Sequence, residues 1–460
     1  MNASRQFFSR FRLVMPLVWA GLALCSSADA QGVTPPKIDS GDTAWMLAST
    51  AMVLLMTPGL AFFYGGMVRS KNVLSMIMQS FIAMAVISIQ WVLWGYSLAF
   101  GPSVSLHGHP LGLIGNLSWA GLNHVGMAPD ADYAATIPAI LFMMFQCMFA
   151  IITPALITGA FAERKKFATY LVFLVLWATF VYDPIAHWVW NVHGWLHELG
   201  ALDYAGGTVV HMSSGYTALV AAIMMGRRKG YPGQEMRPHN LVWTTLGVGL
   251  LWFGWFGFNA GSALGANASA CLAFMTTNTA TAAGALGWMF VEWALRGRPT
   301  ALGAASGAVA GLVGITPACG FVGPLPSIVI GAGAGILCFF AVSLKPRLGY
   351  DDSLDTFGVH GVGGTWGALA TGLFASFAIN GVVEPSIGGH PGVPANGLFY
   401  GNPHQFVVQI IGVVATVVYS VVVSFILLKI LDLTMGLRVT KDEEDSGLDI
   451  TQHGEEAYQL

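Results

Sequence analysis

The sequence predicts an all-α integral membrane protein with eleven transmembrane helices, and three observations lead there. Of 460 residues, 55% are apolar and 9% charged, whereas soluble domains carry about 25% charge. So few charges cannot cover a soluble chain of this size. Apolar runs of about 20 residues, enough to cross a bilayer, recur along the chain. The basic residues fall in alternate gaps between those runs, the pattern of a chain threading back and forth through a membrane. The 57 glycines and 20 methionines suit closely packed membrane helices. A net charge of −3 gives no reason to expect a nucleic-acid partner.

Taken in order, residues 1–30 read as a cleavable signal peptide: Arg5, Arg10 and Arg12, an apolar stretch from Leu13 to Cys25, and a small-residue cleavage site at Ala28-Asp-Ala30. Cleavage there leaves 31–42 as a short periplasmic segment. The membrane domain is expected over 43–432, with spans near 43–66, 73–100, 135–162, 168–188, 204–226, 241–261, 273–294, 300–318, 326–344, 356–378 and 405–432. A polar tail, 433–460, follows. The five cysteines form no CxxC pair and read as small buried hydrophobes.

The spans test themselves against charge. With the N-terminus outside, the inside gaps and tail hold sixteen Lys and Arg, from Arg69 and Lys71 through Arg164, Arg228 and Lys345 to Arg438 and Lys441, and only Lys37 lies outside. This positive-inside bias requires an odd number of spans and a cytoplasmic C-terminus; in a Gram-negative bacterium the N-terminal side is then the periplasm and the membrane the inner one. The outside loop from Gly101 to Tyr133 carries Asp130 and Asp132 and no Lys or Arg, so a cation meets no barrier there.

An internal repeat runs through the spans. Asp203-Tyr-Ala-Gly-Gly-Thr-Val-Val-His211 opens span five, and Asp355-Thr-Phe-Gly-Val-His360 opens span ten. Ile152-Thr-Pro-Ala155 recurs as Ile315-Thr-Pro-Ala318, again five spans on. Five is odd, so the two halves have opposite orientation, and transport sites lie where such halves meet. Asp203 is suited to cap its helix, and Gly206 and Gly207 allow a close neighbour. The repeat pairs His211 with His360 near mid-membrane. An ionisable residue at that depth is a functional candidate, the plain alternative being a structural hydrogen-bonder. Two facing imidazoles either share a proton beside the path of a small hydrogen-bonding molecule or ligate a haem iron from both sides.

These segments resemble the ammonium transporter family (Amt/Mep/Rh), on the bacterial Amt side. The likeness extends from about Asp42 to the C-terminus. It rests on the 203–211 segment continuing to Arg227, on Phe63-Tyr-Gly-Gly-Met-Val-Arg-Ser-Lys-Asn72, Phe145-Gln-Cys-Met-Phe149 and Gly159-Ala-Phe-Ala-Glu-Arg164, and on Trp255-Phe-Gly-Phe-Asn-Ala-Gly-Ser262, Ile315-Thr-Pro-Ala-Cys-Gly320 and Phe357-Gly-Val-His-Gly-Val362. The resemblance implies an inverted five-plus-five repeat with an added last helix, and a homotrimer with one pore per subunit. It implies an outer ammonium site at Trp190, Ser262 and Phe149, and a gate of Phe149 and Phe258. Below these it implies a pore lined by His211, His360 and Trp255, with Asp203 near the recruitment site as a structural residue. It implies no enzyme activity, cofactor or metal, and a PII-type signal protein docking at the cytoplasmic tail. An ammonium sensor with the same fold is the alternative.

The residue types fit that chemistry. Aromatic faces attract a cation by about 0.5–2 kcal/mol each, and Ser262 can accept a hydrogen bond from ammonium or its analogue methylammonium. Carrying a charge through an apolar pore costs more than the cage returns. The expectation is therefore that ammonium loses its proton at the gate and ammonia passes the histidines. By composition alone, the tail after Asp432 reads as solvated and partly disordered. His193 and His197 have the i, i+4 spacing of metal ligands but read as surface packing around Trp195.

Overall fold

The computed structural model describes residues 37–234, 236–381 and 394–458. The expected signal peptide lies outside them. Residues Pro36–Leu460 form one compact unit, and the described part is built from helices. In order these are α1 (Ser40–Met67), α2 (Ser70–Phe100), α3 (Ala139–Phe161), α4 (Phe167–Glu198), α5 (Gly207–Met225), α6 (Leu241–Ala260), α7 (Ala268–Arg296), α8 (Ala301–Ile315), α9 (Pro324–Leu348), α10 (357–374), α11 (Pro403–Thr434) and a short α12 (Lys441–Ser446). Eight of these are long and apolar enough to cross a membrane.

Local chemistry sets several ends. Asp39, Asn240, Asn267 and Asn402 cap α1, α6, α7 and α11 by accepting amide hydrogens of the first turn. The 101–138 loop departs from an all-helical reading. It holds two hairpins, β1 (Ser103–Leu106) with β2 (His109–Gly115) and β3 (Pro129–Asp130) with β4 (Ala134–Pro138). A loop folded over helix ends must pair its own amides and carbonyls, and short antiparallel ribbons do that.

Close approach requires glycine where the halves of the repeat cross. A Cβ on Gly215 of α5 would lie 2.2 Å from the Gly361 amide nitrogen of α10, and one on Gly207 would lie 2.5 Å from the Pro317 ring.

On the face opposite the hairpins, a charge network ties the connecting loops. Glu163 accepts from the Arg69 backbone at 2.7 Å and pairs with Arg69 Nη2 at 2.6 Å and Arg228 Nη1 at 3.3 Å. Arg228 Nη2 also meets Asp351 Oδ1 at 2.9 Å. Burial alone would push the Glu163 and Asp351 carboxyls up, but their arginine partners outweigh it and hold both below the usual carboxylate range.

The tail corrects its composition. Thr440 and Glu443 form a capping box that starts α12. Asp449 accepts from the Leu74 and Ser75 amides of α2 at 3.0 and 2.8 Å, and Arg438 meets Glu444 at 2.6 Å. The tail's polar residues look fit for water, yet Asp445 pairs with Lys229 at 2.6 Å and Glu444 accepts from the Lys229 amide at 3.1 Å. Beside it Lys165 is fully buried, its Nζ 4.9 and 5.0 Å from the Phe161 and Phe173 ring centres, with no hydrogen-bond partner among the described residues.

Candidate functional site

The repeat expectation is met at atomic distance. Nδ1 of His211 lies 3.3 Å from Nδ1 of His360, their rings near-parallel at 27°, and both side chains are buried. The contact is direct and leaves no room between the rings for a haem. Both histidines sit on wide helical turns with i→i+5 winding, Gly207–Met212 in α5 and Phe357–Gly361 in α10. Phe258 lies on a third such turn, Phe256–Ala260. Such turns cluster at functional sites because they redirect side chains out of helical register.

Asp203 prepares the entry to α5. Its carboxylate accepts from the Gly206, Gly207 and Thr208 amides at 2.8, 2.6 and 2.7 Å and from the Thr208 hydroxyl. Gly206 supplies the left-handed backbone this needs, with φ of 107°. The Asp203 carbonyl accepts from Trp190 Nε1 at 3.0 Å, which fixes the indole over the vestibule.

That vestibule lies on the hairpin side and is lined by Phe149, Trp190, Ser262, Gln146, Tyr133 and Asp132 among others. Trp190 meets Phe149 edge to face, centroids 5.7 Å apart at 87°. Ser262 donates its hydroxyl hydrogen to the Phe258 carbonyl at 2.8 Å, which leaves its oxygen lone pairs to accept from a ligand. The three residues expected to form an outer cation site are thus in one cavity. At its floor the Phe149 and Phe258 rings close together, centroids 4.2 Å apart.

Below the two rings lies an apolar lumen lined by His211, His360, Trp255, Phe258, Val210 and Leu156 among others, with room for about one water-sized molecule. Trp255 stacks on His211 at 5.3 Å. A further pocket with Tyr64, Asp355 and Thr356 shares His360. His193 is exposed on the outer loop, whereas His197, expected to be surface packing, lines the vestibule; no metal-holding group of His, Cys, Asp or Glu occurs among the described residues.

One residue of the site was not read from the sequence as functional. Thr316, fully buried, accepts from Trp255 Nε1 at 2.9 Å and lies 3.3 Å from His211 Nε2. Its signal was the repeated Ile-Thr-Pro-Ala motif.

Helical spans, a vestibule lined by aromatic and hydroxyl groups, an aromatic closure and a histidine-lined lumen define a polytopic membrane protein of the transporter class. The sequence relatives are specific about which. The profile of the Ammonium Transporter Family matches residues 44–458. An ammonium transporter of Bacillus subtilis (strain 168) is 55% identical over 420 residues, covering 91% of this chain and 98% of the relative. Ammonium transporter Amt1 of Archaeoglobus fulgidus is 46% identical, covering 92% and 100%. The crystal structure of Saccharomyces cerevisiae Mep2 superposes with a TM-score of 0.80 at 40% identity, covering 88% of this chain and 89% of that one. A structure described as a sensor Amt protein gives 0.80 at 30% identity, covering 90% and 98%. The chain belongs to the Ammonium Transporter Family.

Proposed function

We propose that this chain carries ammonium across the bacterial inner membrane by splitting it into a proton and ammonia. The observation that carries this reading is the sequence of environments along one line: an aromatic and hydroxyl vestibule, a closed phenylalanine pair, and an apolar lumen with two imidazoles. Trp190, Phe149 and Ser262 hold the cation. Their aromatic faces attract it, and the Ser262 oxygen takes one of its N–H groups. Beyond Phe149 and Phe258 a charge would be costly, so the proton is left behind and neutral ammonia passes His211, His360 and Trp255.

The vestibule is periplasmic and the tail cytoplasmic, a reading supported by the sixteen-to-one placement of Lys and Arg. With α7, α8 and α10 spanning beside the eight long apolar helices, the chain crosses eleven times. Residues 1–30 are removed as a signal peptide, and the subunit assembles as a homotrimer with one pore each. Exposed Val242, Phe253 and Phe290 suit lipid or a neighbouring subunit. The tail, 433–460, docked over its described residues to 458, offers a surface on which a PII-type signal protein regulates the pore. A sensing role rests on the likeness to the sensor Amt protein alone, and the more similar relatives carry transporter names.

The test is methylammonium uptake by vesicles in the presence of competing cations. Excess ammonium suppresses uptake and excess K⁺ does not. Suppression by K⁺ would contradict recognition by hydrogen bonding in an aromatic cage.

A further inference from the structure

The hydroxyl of Thr316 has three neighbours and one hydrogen. Its oxygen lies 2.7 Å from the Leu312 carbonyl oxygen. Two oxygens that close share a hydrogen, and a carbonyl has none to give. The Thr316 hydrogen is therefore spent on Leu312. Trp255 Nε1, at 2.9 Å, can only donate, and it fills one lone pair of the Thr316 oxygen. The remaining neighbour, His211 Nε2 at 3.3 Å, meets an oxygen with no hydrogen left to offer. That nitrogen must carry the hydrogen. In a neutral ring Nδ1 of His211 is then bare, and its partner 3.3 Å away, Nδ1 of His360, must be the donor.

We propose that Thr316 is a positioning residue that sets the tautomers of both histidines. His211 is held as the Nε2–H form and His360 as the Nδ1–H form, which leaves the bare Nε2 of His360 as the acceptor of the pair. The inverted repeat makes this a polarity rather than a symmetry. Thr153, the repeat counterpart of Thr316, gives its hydrogen to the Phe149 carbonyl at 2.6 Å. Among the described residues no hydroxyl stands against His360, whose one hydrogen bond is to His211. A single threonine thus orders the two rings so that hydrogens point one way, from His360 to His211, from His211 to Thr316 and from Thr316 to the Leu312 carbonyl. The role in conduction rests on the reading that this pair lines the ammonia path; the tautomer assignment does not.

The test is solid-state ¹⁵N NMR of the full chain, labelled at histidine, in lipid vesicles. The two pairs of ring signals are identified by their loss in His211→Ala and His360→Ala. The expected wild-type spectrum has His211 protonated at Nε2 and bare at Nδ1, and His360 the reverse. Thr316→Val, which keeps the shape and removes the hydroxyl, loses that single pattern, and Thr316→Ser keeps it. A wild-type spectrum with His211 protonated at Nδ1, or an unaltered pattern in Thr316→Val, would overturn the proposal. The wild-type spectrum decides the assignment even if Thr316→Val does not fold. Unchanged methylammonium uptake in His211→Ala, with the tautomers as assigned, would instead sink the pore reading alone.

Discussion

Phe149 and Phe258 close on each other with ring centroids 4.2 Å apart, both fully buried, between a vestibule that holds polar groups and a lumen that is apolar. Phe149 also faces Trp190, so one ring belongs both to the proposed cation site and to the closure beneath it. Removing it weakens recruitment by the attraction of one aromatic face. Phe149→Ala is expected to raise KM for methylammonium about 2–30-fold, the equivalent of 0.5–2 kcal/mol. Kinetics of uptake into vesicles check this, and an unchanged KM would take Phe149 out of the binding site.

Asp203 acts on the pore through structure. Its carboxylate gathers three amides and a hydroxyl at the start of α5, the helix that carries His211. Asp203→Ala leaves those donors buried and unpaired, a loss on the order of 3 kcal/mol. Thermal unfolding followed by size-exclusion chromatography is expected to show a clearly lower Tm. A wild-type Tm would mean that the cap does not hold the helix start.

Glu163 is the shared counter-charge of Arg69 and Arg228. Its folded pKa lies below the ordinary value of 4.5, so its contribution is present above that pH and is lost as pH falls through the folded value. Glu163→Gln is expected to be less stable than wild type at pH 7 by about 3–5 kcal/mol, the usual effect of breaking a buried ion pair. The gap should narrow in acid below the ordinary value. Tm measured across pH tests this, and a gap that does not change with pH would rule out the carboxylate charge as the cause.

At Lys165 it is the substitution that stabilises. Burial lowers its pKa from 10.5 to about 7, only partly offset by Asp432. The unfolded chain binds that proton more readily between those two values, so wild-type stability rises with pH over this window. Lys165→Met fills the same space between Phe161 and Phe173 without a charge. It is expected to raise Tm at neutral pH, with the gain disappearing above the ordinary lysine value. A lower Tm at pH 7 would show that the ammonium group stabilises its site.

The order of the helices was legible because hydrophobic length and basic gaps are properties of the chain alone, and α1 through α11 lie over the expected runs, although α4 continues past the expected end at 188 to Glu198. The pairing of His211 with His360 was legible because the repeat encodes a spatial axis. The docked tail was not legible from composition, which counts charges and cannot see that Asp449 meets the start of α2; only the family resemblance implied a packed tail. Nor were the hairpins of the 101–138 loop or the role of Thr316 legible. The role of Thr316 depends on where one hydrogen goes, and that follows from the position of Leu312 O relative to Trp255 and His211.

The central claim is that the solute passes the paired imidazoles. The most direct measurement is the initial rate of radiolabelled methylammonium uptake into vesicles containing wild type or His211→Ala, at matched protein content and confirmed folding. The rate is expected to fall by about tenfold or more, the equivalent of a barrier raised by roughly 1.4 kcal/mol. A wild-type rate in His211→Ala, still competed by ammonium, would place the path elsewhere and contradict the account.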